Sequence, residues 1–231
     1  MNRRTLLFCT AGVLAKAQDR RAVILERARI LSVFPGQQIA EATPELLDRA
    51  AKIARGTVFF YNRTPVEVGL KDIDWTGAHI RHQEWPAQLN RFYYLGPLAS
   101  AYRATHDESF ARAARAYIED WMRGDSYASS SSLRAGDNTL TMSIRLGTSF
   151  HAGWAGVLPV FLESPSFDDA FLNKVFTSIS AQADFLSRHL TAFGNWRISQ
   201  LDALVFTAVR FPFLENAPRL REAGIAGMRA A

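Results

Sequence analysis

The feature that most constrains the fold is a helical repeat of apolar residues along nearly the whole chain. Apolar side chains return at steps of three and four residues, which places them on one face of an α-helix. Neither a sustained heptad nor a clear sequence repeat is present, so a coiled coil or an ordinary solenoid is not indicated. The sequence therefore predicts an all-α fold. In the stretch 169–190 the repeating residues are Leu172, Val175, Phe176, Ile179, Ala183, Leu186 and Leu190.

Local signals mark where the helices begin and end. Thr43 and Pro44 are typical of an N-cap and a first helical position, and Gly56 would end that helix. The stretch 57–75 breaks the helical period, and we predict an extended loop or short strand there, with turns at Asn62 and Pro65.

A further helix is predicted to begin at Glu84. A second one is predicted to begin at Thr105, where Thr105 and Glu108 have the spacing of a capping box, and others follow over later stretches. The first two should pack antiparallel as a hairpin, because the link between them is short. Short turns alternate with longer loops along the chain. Antiparallel helix pairs around a common axis, with the loops gathered at one end, would explain that alternation. The later helices are expected over 139–161, 169–190, the stretch ending near Phe211, and 216–228.

The first 17 residues have the pattern of a secretory signal peptide, with a basic start, a short apolar stretch and small residues before the cleavage point. Cleavage after Ala17 would remove three of the positive charges and lower the formal charge from +5 to +2. Such a charge does not indicate a nucleic-acid-binding protein. The apolar stretch is too short to span a bilayer, so no membrane association is expected after cleavage. We predict a periplasmic or secreted protein, with a linker over 18–40 and the helical domain over 41–231.

Several kinds of site are not indicated by the sequence. The five histidines have no partners at spacings typical of metal ligands, and a phosphate-binding glycine-rich loop and a Gly-x-Ser-x-Gly elbow are absent. The single cysteine, Cys9, lies in the predicted signal peptide, so the mature chain would have no disulfide. We therefore predict no metal and no cofactor.

The segment 74–110 combines tryptophan, asparagine, arginine and tyrosine with an amphipathic pattern. Asn90 and Arg91 fall in the middle of a predicted apolar helix, and a buried arginine needs a partner. That partner is either an acid, such as Glu84 or Asp120, or an anionic ligand facing a cleft. Aromatic faces beside arginine and asparagine suit a sugar, although Trp85 and its aromatic neighbours are equally typical of a core.

The order of these motifs resembles the N-terminal toroid of the heparinase II/III-like polysaccharide lyases. The resemblance covers about residues 45–231 and implies antiparallel helix hairpins forming part of an incomplete (α/α) toroid. Asn195 matches the family's asparagine-bearing turn, which is followed by a helix with a Phe-Pro end. The other matching positions are Trp85, Leu89-Asn90-Arg91, Ala101-Tyr102, Thr105 to Glu108, Trp121 and Arg145.

The resemblance implies β-elimination on a uronate-containing acidic polysaccharide, of heparan-sulfate or alginate type. Asn195 would neutralise the uronate carboxylate, although an asparagine at this position is also a common helix cap. In the family a tyrosine or histidine removes the C5 proton; the tyrosine, further toroid helices and a β-rich domain are expected beyond Ala231. The substrate-binding residues implied are Trp85, Asn90, Arg91, Arg145 and Trp196.

Two departures and two alternatives accompany this prediction. Trp196 and Phe92 stand where many relatives have histidine, which removes ionisable groups. One alternative is a non-catalytic glycan-binding remnant of such a lyase. The other is an (α/α) toroid glycoside hydrolase, which would need a pair of carboxylates among candidates such as Asp72, Asp74 and Glu84.

Overall fold

The computed structural model describes residues 19–124, 127 and 132–230. Within these residues the architecture is helical, with one two-stranded antiparallel sheet. The predicted signal peptide and most of the serine-rich segment 125–131 lie outside the described residues. The helices are α1 (19–31), α2 (Pro44–Ile53), α3 (Trp85–Asn90), α4 (Leu95–Thr105), α5 (Glu108–Met122), α6 (Thr139–Leu146), α7 (Gly153–Val157), α8 (Asp169–Arg188), α9 (Gly194–Arg210) and α10 (Ala217–Ala230). The strands are β1 (Thr57–Phe60) and β2 (Thr64–Glu67), and short 3-10 helices cover Pro35–Gln37 and Leu158–Phe161.

The start of α2 and the strand region follow the sequence signals, with one exception. The Thr43 hydroxyl accepts a hydrogen bond from the Leu46 N–H at 3.2 Å, and Pro44 is the first helical residue. Asn62 lies in the β1–β2 turn with a φ of 59°. The turn predicted at Pro65 is wrong, because Pro65 lies within β2 opposite Phe59. A two-stranded ribbon accepts proline because each strand has an open edge.

The single helix predicted from Glu84 is divided in two. α3 ends at Asn90, and Phe92 has a φ of 61° before α4 begins. This break turns the Phe92 ring into the core, where it stacks on Trp75 at a centroid distance of 5.4 Å and meets Trp154 at 5.3 Å. Burial of a large aromatic ring outweighs the backbone cost of one left-handed residue.

The helix predicted over 139–161 is also interrupted. Gly147 has a φ of 93°, and the main chains of Thr148 and His151 then pair in an isolated bridge before α7 begins. We call residues 148–151 the bridge turn. A glycine supplies the positive φ without steric cost, so the chain can leave α6 sharply at this point.

The predicted capping box of α5 is wrong. Asp107 caps the helix by accepting from the Ser109 N–H at 2.8 Å. The Glu108 carboxylate instead accepts hydrogen bonds from the Tyr102 hydroxyl at 3.0 Å and the Ser164 hydroxyl at 2.7 Å. This carboxylate therefore ties α4 and α5 to the chain after the second 3-10 helix.

The segment 18–40, predicted as a linker, is part of the folded unit over its described residues. Ile24 of α1 is fully buried. Arg21 pairs with Asp169 at the start of α8 at 2.8 Å and donates to the main-chain carbonyls of Leu162 and Phe167. The sequence analysis missed α1 because its apolar face is narrow and lies among many charged residues.

Consecutive helices pack as antiparallel pairs. Only residues 106 and 107 separate α4 from α5. α10 returns along α9, with Gly224 and Gly227 against Leu201. The long connections precede α3 and α6, and Asn90 at the end of α3 joins them by donating to the carbonyls of Trp75 and Gly136. No helix in the described part of the chain is long and apolar enough to cross a bilayer.

Candidate functional site

Asn90 joins three segments of the chain in the protein interior. It is the last residue of α3 and is almost fully buried. Its amide nitrogen donates to the carbonyls of Trp75 and Pro86, both at 2.9 Å, and its oxygen accepts from the Trp121 indole at 2.9 Å. Both the nitrogen and the oxygen of this amide are bonded to groups of the protein. Asn90 is therefore not available to contact a ligand.

Arg145 is likewise an interior residue. Its guanidinium is fully buried and pairs with the fully buried carboxylate of Asp137 at 2.7 Å. It also donates to the Gln182 side chain at 2.8 Å and to the Asn90 carbonyl at 2.8 Å, and it lies 4.4 Å from the Trp121 ring centroid. A buried arginine needs such partners, and here the protein supplies them. The arrangement leaves no donor of Arg145 directed to solvent.

Trp85 belongs to the aromatic core. It is fully buried, and its ring meets Phe60 edge to face at a centroid distance of 5.7 Å. Its indole nitrogen approaches the His79 ring nitrogen at 3.5 Å. Of the two alternatives left open by the sequence, the structure places this tryptophan in the core.

Arg91 lies at the edge of a half-buried group that includes Tyr93 and His151. The Tyr93 and His151 rings are 5.5 Å apart. Burial raises the pKa of the Tyr93 hydroxyl, and the nearby Arg91 guanidinium opposes this rise. Burial and the positive charge of Arg91 lower the pKa of His151. The group is thus cationic overall, with a histidine that favours its neutral form.

The acidic partner expected for Arg91 is engaged elsewhere. Asp120 accepts from the main-chain N–H groups of Asp72 and Ile73 and from the Trp75 indole, and it pairs with Arg123 at 2.7 Å. Among the described residues Arg91 forms no ion pair, and its Nε has no hydrogen-bond partner. A half-buried cation without a carboxylate is a candidate contact for an anionic ligand.

The start of α9 presents Asn195 to solvent. Gly194 has a φ of 88°, and an added Cβ there would meet no atom within 4 Å. Phe193 is the N-cap residue, and no side chain caps the helix. Asn195 is exposed and makes no side-chain hydrogen bond within the described ranges. The capping role considered for Asn195 is therefore not seen, and the first N–H groups of α9 are free to meet an anion.

Two aromatic side chains flank this open helix end. Phe193 is 84% exposed and Trp196 is 40% exposed. The turn is held from behind, because Arg197 donates to the Thr191 carbonyl at 3.0 Å and Gln200 accepts from the Thr191 N–H at 2.8 Å. A fixed turn with exposed rings and free amide donors is a suitable surface for a sugar that carries a carboxylate.

One face of α9 connects Asn195 to the His151 group. Asn195, Ser199 and Asp202 recur at steps of four and three residues and share that face. Asp202 accepts from the Ser149 N–H at 2.8 Å and from its hydroxyl at 2.6 Å, which fixes the bridge turn that carries His151. Seven residues along an α-helix correspond to roughly 10 Å. Asn195 and the Asp202–Ser149 contact therefore lie about two helical turns apart along one side of α9.

The other candidate chemistries find no matching geometry. Asp74 accepts from the Thr76 hydroxyl at 2.6 Å and from the Thr76 N–H, and Asp72 pairs with Arg123 at 3.1 Å. These acids stabilise a loop and do not face each other across a cleft. Within the described residues, no group of three or more histidine, cysteine, aspartate or glutamate side chains could hold a metal ion.

The chain is similar to proteins of one family. The profile described as "Heparinase II/III N-terminus" matches residues 17–231. A heparin-sulfate lyase of Pedobacter heparinus is 30% identical over 155 residues, which are 67% of this chain and 23% of that protein. A heparin-sulfate lyase of Bacteroides stercoris is 24% identical over 170 residues and is covered to 25%.

A solved structure shows the same architecture. The heparan sulfate lyase HepC from Pedobacter heparinus superposes with a TM-score of 0.74 at 25% identity, over 91% of this chain and 34% of that one. The predicted fold class, antiparallel helix hairpins forming part of an (α/α) toroid, is confirmed. The chain spans about a quarter of the length of the curated relatives and about a third of that solved structure.

Proposed function

Because the chain belongs to the heparinase II/III N-terminal family, we propose that it is a polysaccharide lyase domain that binds an acidic, uronate-containing glycan. The observation that carries this proposal is the exposed Asn195 at the uncapped start of α9. The amide of Asn195 and the free N–H groups of the helix could together bind one carboxylate. The relatives named above act on heparin or heparan sulfate, so a glycan of heparan-sulfate or alginate type is the proposed substrate class.

The chemistry we propose for Asn195 is charge stabilisation during β-elimination. Removal of the C5 proton next to a carboxylate builds negative charge on the carboxylate oxygens. A preorganised donor that binds this developing charge stabilises the transition state. The positive end of the α9 dipole acts in the same direction. Trp196 would pack on a sugar ring and Arg91 would meet a second anionic group, whereas the proton acceptor is not assigned to any residue of this chain.

We propose that the protein acts in the periplasm or after secretion, because its substrate would be an extracellular polymer. Partners of this domain would be the acidic polysaccharide and the remaining toroid and β-rich regions that the family resemblance implies. The non-catalytic alternative differs from the lyase only in lacking turnover. No observation favours the glycoside hydrolase alternative, since Asp72 and Asp74 are engaged in loop contacts.

The proposal is tested by measuring how strongly glycan binding depends on the sugar carboxylate. We expect the 231-residue chain to bind a heparin-derived tetrasaccharide, and to bind its carboxyl-reduced form about tenfold more weakly, which corresponds to about 1.4 kcal/mol. Asn195→Ala should lose about the same affinity without a change in stability, because the side chain is exposed and makes no hydrogen bond in the described structure. Asn173→Ala, at an exposed position of α8, is the control; it removes the same amide and one surface hydrogen bond, which its side chain accepts from Arg20 at 3.0 Å.

Turnover is read separately, from the ultraviolet absorbance of the unsaturated uronate product. Product formation that disappears in Asn195→Ala supports the lyase. Binding without product is the result expected of the non-catalytic alternative. Equal binding of the native and carboxyl-reduced glycans by wild type and Asn195→Ala would refute the assignment of Asn195.

A further inference from the structure

A second cleft, distinct from the Asn195 turn, lies between α2, α4 and the chain that follows the bridge turn. Its volume is about 700 Å³. Pro97, Ala152 and Val157 contribute apolar surface to it. The polar side chains that line it come from five separate segments, so the cleft is a product of the fold and not of one motif. They include Gln38, Glu45, Arg49, Asn62, Tyr93, Ser100 and His151.

The cationic side chains of this cleft lack acidic partners. Arg49 packs over the Phe59 ring at 5.0 Å and forms no ion pair with any described residue. Arg91 acts on both Tyr93 and His151 from behind the cleft wall. An arginine held flat on an aromatic ring keeps its planar donors pre-oriented for an oxyanion.

One carboxylate lies at the rim, four residues before Arg49 on the same helix. Glu45 is exposed in the first turn of α2. Its own backbone N–H and the Thr43 side chain hold its carboxylate and lower its pKa, so it stays ionised but forms no ion pair with Arg49 in the described structure. The acid near the bridge turn, Asp202, accepts from Ser149 instead. The donors of Arg49 therefore remain available to an anion.

The cleft also contains an unused buried polar group. Ser100 is 1% exposed, and its hydroxyl has no hydrogen-bond partner in the described structure. Buried hydroxyls are nearly always hydrogen-bonded, so one that lines a cleft without a partner indicates a ligand group or an ordered water. Tyr93 adds a half-buried aromatic face. An aromatic face, a buried hydroxyl and an arginine together match a sugar ring that carries a negative charge.

We propose that this cleft is a second subsite that binds an anionic sugar unit, either a hexuronate or an O-sulfated hexosamine. Arg49 pairs with the carboxylate or sulfate, and the sugar ring packs on Tyr93. The choice of a sugar rests on the proposed function.

His151 reports occupation of the cleft directly. The Arg91 guanidinium acts on its ring, the Tyr93 ring lies 5.5 Å away, and the Gln37 side chain donates to its carbonyl. Arg49 and Glu45 line the same cleft. A bound anion favours the charged imidazolium, so the pKa of His151 should rise by about 0.5 to 1 unit. We would follow its ring protons by NMR across pH with glucuronate, with O-sulfated N-acetylglucosamine, and with neutral N-acetylglucosamine, which should leave the pKa unchanged.

The variant that tests the cleft is Arg49→Gln. It should weaken binding of the anionic sugars about tenfold and abolish the rise in the pKa of His151. Arg112→Gln removes the same charge from an exposed position of α5 and should change neither. If Arg49→Gln does not fold, the wild-type titration alone decides. An unchanged pKa of His151 with both anionic sugars overturns the subsite.

The outcome separates this inference from the proposed function. A tetrasaccharide whose binding depends on Asn195 but leaves His151 unmoved refutes the second subsite and leaves the proposed function in place. Anionic monosaccharides that move His151, with no tetrasaccharide binding that depends on Asn195, support the subsite and refute the role of Asn195. The two anionic sugars carry their charge as a carboxylate and as a sulfate, so comparing each with its neutral parent, glucose or N-acetylglucosamine, identifies which anionic group the cleft prefers.

Discussion

Substitution of Arg145 by methionine tests whether this residue stabilises the fold or contacts substrate. The change keeps a long, flexible apolar side chain but removes the charge and all five donors. It leaves the carboxylate of Asp137 buried beside apolar groups, with the Tyr127 hydroxyl at 2.7 Å and the Asn138 N–H at 2.9 Å as remaining donors. It also removes the donor to the Asn90 carbonyl.

The expected cost follows from these contacts. Removing one partner of a buried ion pair costs about 3 to 5 kcal/mol, because the other charge is left buried and uncompensated. Tyr127 and Asn138 continue to solvate Asp137, which places the expected loss near the lower end, at about 3 kcal/mol. Single domains are stable by only about 5 to 15 kcal/mol, so this is a large share of the total.

The measurement is urea unfolding followed by tryptophan fluorescence, with an unchanged m-value as the sign that both variants unfold from the same folded state. Arg145→Met/Asp137→Leu is the matched control. It removes both charges and should recover part of the loss, giving a coupling energy of about 2 kcal/mol. A variant Arg145→Met that keeps wild-type stability but loses glycan binding would show that the structural reasoning is wrong and that Arg145 contacts substrate.

Two further predictions concern the N-terminal segment and pH. Gly36→Ala should destabilise the protein by about 1 to 3 kcal/mol, because an added Cβ would overlap the main chain of Phe150. Gly96→Ala in α4 meets no atom within 4 Å and should raise the free energy of unfolding by about 0.5 to 1 kcal/mol. Thermal unfolding measures both variants, and a Gly36→Ala variant of unchanged stability would refute the close packing. The pKa of His151 is lowered in the folded state, so the folded state binds fewer protons than the unfolded state. The free energy of unfolding should therefore fall as the pH drops below about 6.5. His151→Gln should show a smaller fall in urea midpoint over that range, and an equal fall would count against the role of His151.

Much of the fold was predictable because helix signals are local. The cap at Thr43 and the apolar face of α8 depend on residues a few positions apart, and both were predicted. The breaks at Phe92 and Gly147 were not predicted, because they depend on where an aromatic ring or a bridge turn fits against distant helices. The helical α1 was missed for a similar reason, since its buried face is defined by contacts with the chain around α8.

The candidate site was predictable only in part. The start of α9 was selected from a local motif, and the structure places Asn195 and Trp196 on the surface there. Tyr93 and His151 were not selected, since their contact joins the turn between α3 and α4 to the bridge turn across a long stretch of sequence. Arg49 and Ser100 were not selected either, because Arg49 has Glu45 four residues before it, which is typical of an exposed helical pair, and Ser100 lies within an apolar helical pattern.

Burial is what separates the residues of these motifs into two kinds. Asn90 and Arg145 lie in motifs that suggest ligand binding, yet every strong donor they have is taken up by carbonyls, an amide or Asp137 inside the protein. Asn195 has the same chemistry as Asn90, but its helix end is open. Free polar capacity at an exposed position is therefore a better guide to a ligand than residue type. By that criterion we propose the start of α9 and the cleft that contains Arg49 as the anion-binding places within the described part of the chain.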